Sequence, residues 1–188
     1  MNKSNHNILK QCIIRCHVSG AVNCLTEQEF RAIWNLMCKD GREKIVFYDG
    51  QIANFPEFLE FMQDDSNYVY AVERGGEFVC LAWVNNFLGR CGMIHFTMFH
   101  NSDGEEFPIC LKLLRFLLYA KSDGNFCFDA LYGLTPKVYR HVLRFIEKLG
   151  FRLVADMPSS VFFQKNGKKH FKNAVFSIVT RDSVNMLK

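Results

Sequence analysis

The spacing of apolar positions changes along the chain, and the changes mark its elements. Ile8, Leu9, Cys12, Ile13 and Cys16 recur at the interval of a helix face. Thr26 precedes Glu27 and Glu29, an acidic first turn that suits the positive end of a helix dipole. From there Phe30, Ile33, Trp34 and Met37 form one stripe, which Lys39-Asp40-Gly41 closes. Residues 45–48 read as a short strand ended by Asp49-Gly50. Phe55-Pro56-Glu57 opens a short helix carrying Phe58, Leu59, Phe61 and Met62.

The middle of the chain reads as strands. Residues 68–73 and 78–84 predict two antiparallel strands joined by Arg74-Gly75-Gly76-Glu77, and residues 93–100 a third. Residues 105–121 predict a long helix with Leu111, Leu114, Leu117 and Leu118 turned inward. A strand over 126–134 and a helix over 137–149 follow, with Gly150 suited to a left-handed cap. Residues 152–155 continue as a strand, and 161–180 as extended chain around Asn166-Gly167, a two-residue hairpin signal. A meander followed by strand–helix–strand alternation defines the α/β class: a mixed sheet with an antiparallel front half and helices on both faces. A chain of 188 residues with 19 Phe fits one domain over 1–188, a helical N-terminal extension over 1–43 preceding a core over 44–180.

Composition narrows the setting. No apolar run is long enough to cross a membrane, and the first residues lack a secretory pattern, so a cytoplasmic location is expected. Cys80, Cys110 and Cys127 sit among apolar neighbours, as reduced, buried cysteines do. The net charge of +4 is modest and does not point to nucleic acid. Lys165, Lys168, Lys169, His170 and Lys172 surround the hairpin turn and read as a solvated tip. Cys12, Cys16, His17 and Cys24 lack the spacing of a zinc site, so no metal is expected.

Two phrases carry a family resemblance. Tyr132-Gly133-Leu134-Thr135-Pro136, followed by Phe145-Ile146-Glu147-Lys148-Leu149-Gly150-Phe151, resembles the fifth strand, fourth helix and following turn of the acyl-CoA N-acyltransferase (GNAT) superfamily. That helix typically ends in a phrase of the form F-Y-E-K-L-G-F. Residues 94–100 resemble the family's fourth strand, and the likeness extends over about residues 44–180. The Gly-Leu-Thr-Pro and His-Phe-Thr phrases are also similar to a phage and prophage subgroup. The resemblance implies a GNAT-like fold and acetyl transfer, or transfer of another acyl group, from acyl-CoA to an amine on a small molecule or a protein. It implies splayed fourth and fifth strands with the pantetheine arm between them. It also implies a pyrophosphate at the third helix's N-terminus and a strand amide on the thioester carbonyl. On this chain the donor-binding positions fall on Phe99, His100 and Gly104.

Two departures bear on chemistry. The family's phosphate loop reads R/Q-x-x-G-x-G/A, whereas Asp103-Gly104-Glu105-Glu106-Phe107-Pro108 stands here. Each carboxylate facing a phosphate costs about 1 kcal/mol in water and about 4 near a partly shielded surface. Ser102 and Glu105 predict a capping box, which would satisfy the helix start without a ligand. Ile146 occupies the place where many members carry an acidic Tyr; Tyr139 and Tyr132 are candidate substitutes, each also suited to packing. His95, sharing a strand face with Thr97, is the candidate base. Two functions therefore stand open: an N-acyltransferase with an atypical donor site, and a catalytically degenerate GNAT-fold binding module.

Overall fold

A computed structural model describes residues 12–18 and 24–187. The main strands are β1 (Cys12–His17), β2 (Tyr68–Arg74), β3 (Glu77–Leu88), β4 (Cys91–Met98), β7 (Ala130–Pro136), β8 (Arg152–Lys165) and β9 (Lys168–Thr180). They form one seven-stranded sheet in the order β1-β2-β3-β4-β7-β9-β8. Between β4 and β7 stand α4 (Glu106–Tyr119) and a small hairpin, β5 (Lys121–Ser122) with β6 (Asn125–Phe126). The predicted mixed α/β sheet with an antiparallel front is present: β1, β2 and β3 pair antiparallel, and β4 pairs β7 in parallel. The chain forms two compact units.

The first unit takes residues 2–85 and 95–109. Its α1 (Glu27–Lys39) starts with a capping box, Thr26 bonding the Glu29 amide and the Glu29 side chain the Thr26 amide. Phe30, Ile33 and Met37 on that helix are fully buried, as are Phe58 and Met62 on α3 (Phe55–Gln63). Phe58 is the centre of an aromatic cluster, its ring 5.1 Å from Trp34, 6.2 Å from Phe47 and 6.3 Å from Phe30. Two expectations fail here. Residues 12–17 form a strand, not a helix: Cys12 is buried, Ile13 is 57% exposed, and the chain hydrogen-bonds along β2. The β-branched Ile13-Ile14 pair suits that pleated edge. Ile8 and Leu9 of the expected helix lie outside the described residues. Residues 45–48 are not a strand either, because the Arg42 carbonyl accepts the amides of Ile45 and Val46 and winds one turn, α2 (Glu43–Val46). A four-residue apolar run does not by itself separate the two outcomes.

The second unit takes residues 86–94 and 110–188. Leu113, Leu114, Leu117 and Leu118 of α4 are buried. The strand expected over 126–134 begins later, because the Asp123-Gly124 turn and the Cys127 amide on the Ala120 carbonyl close the small hairpin first. That hairpin leaves Cys127 exposed, against expectation, while Cys80 and Cys110 are buried as their neighbours predict. Next come α5 (Arg140–Lys148) and the long β8–β9 hairpin, turned at Asn166 (φ 51°) and Gly167 (φ 72°) as the sequence predicts. Leu149 and Phe151 are buried, and Gly150 takes the left-handed φ of 88°. The last element is α6 (Arg181–Asn185), whose Arg181 donates to Asp129 at 2.8 Å.

Candidate active site

A chain of polar side chains runs through the first unit to His95. Asn67, 3% exposed, donates its Nδ2 to the Phe61 carbonyl at 2.6 Å. A carbonyl can only accept, so this contact fixes the Asn67 amide and leaves its Oδ1 as acceptor. Asn85 Nδ2 donates to that oxygen at 3.0 Å, which turns Asn85 Oδ1 toward His95 Nε2 at 3.1 Å. The hydrogen must then reside on Nε2, and Nδ1 keeps the lone pair. The imidazole lies flat on the Trp83 ring, with centroids 4.7 Å apart and planes 4° from parallel. Burial lowers its pKa to about 4, so it is neutral at physiological pH. The Trp83 indole N–H is buried without a partner among the described residues. An orphaned donor costs about 1–3 kcal/mol until an acceptor arrives.

The turn between β4 and α4 belongs to the same unit. Phe99 is 1% exposed and its amide donates to the Val79 carbonyl at 3.1 Å, so neither its side chain nor its amide can meet a ligand. The His100 amide donates to Asp40 at 2.7 Å. Of the three candidate donor-binding residues, only Gly104 keeps an open backbone: its φ is 82°, with no atom within 4 Å of where a Cβ would sit. Other bonds take the place of the expected capping box. Ser102 donates its hydroxyl to the Phe99 carbonyl at 2.6 Å, while the Glu105 carboxylate pairs with Arg74. That ion pair neutralises one of the loop's three acids and leaves Asp103 and Glu106.

In the second unit the β4–β7 ladder covers only Cys91–Met93 against Ala130–Tyr132, while β7 stays paired with β9 through to Pro136. Tyr132 is 7% exposed and donates its hydroxyl to the Asn86 carbonyl at 2.5 Å. Burial, with the nearby Cys91, raises its pKa, making it a weaker acid. Tyr139 begins α5 with its ring 5.9 Å from Phe163, and burial raises its pKa too. Ile146 is 3% exposed and belongs to the core. Sequence reasoning missed Asn67 and Asn85; the available signal was Asn85 inside an apolar strand, where Asn is disfavoured.

No family model matches the sequence, and no curated protein matches it. Solved structures do match the fold. Spermidine N-acetyltransferase from Vibrio cholerae, in complex with CoA and spermine, superposes with a TM-score of 0.69 at 14% identity, over 94% of this chain and 99% of that one. The ribosomal-protein α-N-acetyltransferase RimL, in complex with coenzyme A, gives 0.68 at 10% identity, over 94% and 97%. An N-acetyltransferase from Staphylococcus aureus gives 0.62 at 14%, over 90% and 98%. The fold is thus that of the GNAT acetyltransferases, and these neighbours lend no support to a narrower phage-type grouping.

Proposed function

We propose that this protein is an acyl-CoA N-acyltransferase with an atypical donor loop, acetylating the neutral form of one amine on an otherwise cationic acceptor. The observation that carries the reading is the directed chain from the Phe61 carbonyl to His95, which leaves one imidazole lone pair on a ring stacked on Trp83, whose own indole donor is unsatisfied among the described residues. Likeness to structures that hold CoA supports acetyl-CoA or another acyl-CoA as donor. The first unit carries 14 Asp/Glu against 8 Lys/Arg, a balance that favours a cationic acceptor such as a polyamine over a neutral amine.

In this reading His95 Nδ1 takes the proton that the amine sheds as its nitrogen bonds to the thioester carbon. An imidazole with a pKa of about 4 is a weak base, but the attacking nitrogen becomes strongly acidic as it gains positive charge. When the carbon–sulfur bond breaks, the thiolate, with a pKa of about 8.5, is the stronger base and takes the proton from His95. One residue then serves both steps, and the role that Ile146 cannot fill is not needed.

The test is thiol release from acetyl-CoA with spermine, a neutral primary amine and an N-terminal peptide as acceptors. We expect release with the cationic acceptor and a loss of about 100-fold or more in His95→Gln. A second reading, a binding module on the same fold, is favoured by Ile146 in the core and by the Tyr132 hydroxyl held on Asn86. Absence of thiol release with all three acceptors would select it.

A further inference from the structure

The modest net charge of the chain conceals a strong segregation. The second unit carries 15 Lys/Arg against 5 Asp/Glu, a net of +10, while the first nets −6. Within the second unit the cations gather at residues 137–172, with nine Lys/Arg against two Asp/Glu. Asymmetry of this kind is the electrostatic signature of a polyanion partner.

The β8–β9 hairpin shows how the charges are arranged. Lys165 and Lys168 face each other across the turn, and Lys172 lies further along the same face of β9. That face continues into a cleft of about 570 Å³ lined by Lys172, Arg140, Lys137 and Asn173. Lys137 is engaged by Asp156, but among the described residues no carboxylate pairs with Arg140, Lys165, Lys168, Lys169 or Lys172. On the opposite face Phe171 is 61% exposed, 6.0 Å from the Phe162 ring, over which Lys169 Nζ sits at 4.5 Å.

Edge protection accounts for lysines on an edge strand. Here β7 flanks β9 only from Ala174 to Thr180, so Lys168, Lys169 and Lys172 stand on a two-stranded stretch paired with β8 alone, where edge protection accounts for part of the charge. Opposed lysines on paired strands repel, and protection gives no reason for the exposed Phe171 beside Lys169 on the other face of the hairpin. Phosphates with bases to stack account for both features.

We propose that the β8–β9 hairpin and the adjoining cleft bind single-stranded nucleic acid, contrary to the expectation from net charge. Arg140, Lys165, Lys168, Lys169 and Lys172 neutralise phosphates, and Phe171 stacks on a base. This assignment is independent of acyl transfer.

The experiment is fluorescence anisotropy of a labelled oligouridine of about twenty nucleotides, titrated with the full chain across a salt series. Five phosphate contacts give a slope of log affinity against log salt of about −3.5, and Lys168→Ala with Lys169→Ala and Lys172→Ala brings it to about −1.4. Phe171→Ala weakens binding about tenfold without changing the slope. Phe171→Leu, which keeps the apolar surface but not the aromatic face, behaves the same way. No binding at about 20 mM salt overturns the proposal. So does inorganic polyphosphate binding as tightly as oligouridine with Phe171→Ala silent, which would mark a site for any polyanion. Binding to anionic lipid vesicles but not to oligouridine overturns it as well.

Discussion

His95 shows how one buried residue ties the candidate chemistry to stability. Its imidazole is neutral because burial disfavours the charge, and the chain through Asn85 and Asn67 needs only the neutral Nε2–H form. The unfolded chain holds this histidine near its ordinary pKa of about 6.5. Between about pH 6.5 and the folded value of about 4, the unfolded state therefore binds the extra proton. Stability from this residue is complete above that window and drains away as pH falls through it, by up to about 3 kcal/mol. Urea denaturation at pH 7 and at pH 4.5 checks the sign. The wild type should lose more stability between the two than His95→Gln, which cannot take up the proton. Equal losses would mean that the ring is solvated and free to charge in the folded protein.

At the scale of elements, α5 and its cap were the most legible part of the sequence. Ile146, Leu149 and Phe151 are buried, and Gly150 is held at its left-handed φ with the Ser183 carbonyl oxygen only 3.1 Å from where a Cβ would sit. Phe145, on the same helix, is half-buried. Ile146→Tyr would restore the residue many GNAT enzymes carry, yet it forces a larger ring into a filled site. It should cost about 1–3 kcal/mol, read from the urea midpoint, because overpacking displaces neighbours. A neutral result would mean that the space for a tyrosine still exists beside α5. The illegible elements were those decided by distant partners. Ile13 and Ile14 follow β2, about 60 residues away in sequence, and no local pattern encodes that pairing. The same holds for the site: His95 was visible as a strand histidine, but its partners come from the turn after α3 and from β3. The family resemblance put Phe99 at a ligand, whereas tertiary packing put it in the core.

For the whole molecule, fold and donor chemistry point in different directions until the loop is weighed charge by charge. The fold is shared with enzymes solved with CoA, while on the proposed reading residues 103–106 carry three acids where the family resemblance would put the donor's pyrophosphate. Arg74 cancels Glu105, so Asp103 and Glu106 carry the remaining repulsion, about 1 kcal/mol each in water and about 4 each if partly shielded. Even the smaller figure, about 2 kcal/mol over the two residues, weakens binding about thirtyfold, since 1.4 kcal/mol is a factor of ten. Acetyl-CoA should therefore bind, but in the millimolar range. At a concentration equal to its dissociation constant a ligand adds about 0.4 kcal/mol, and at a hundredfold excess about 2.7. For a chain of this size those correspond to roughly 1 °C and roughly 5–10 °C. A thermal melt with millimolar acetyl-CoA should thus move the wild type by about a degree, and Asp103→Arg with Glu106→Gly by several. A large shift already in the wild type would mean that the acids do not face the phosphates. No shift in either protein would mean that the fold holds no donor, and the binding-module reading would replace the enzyme.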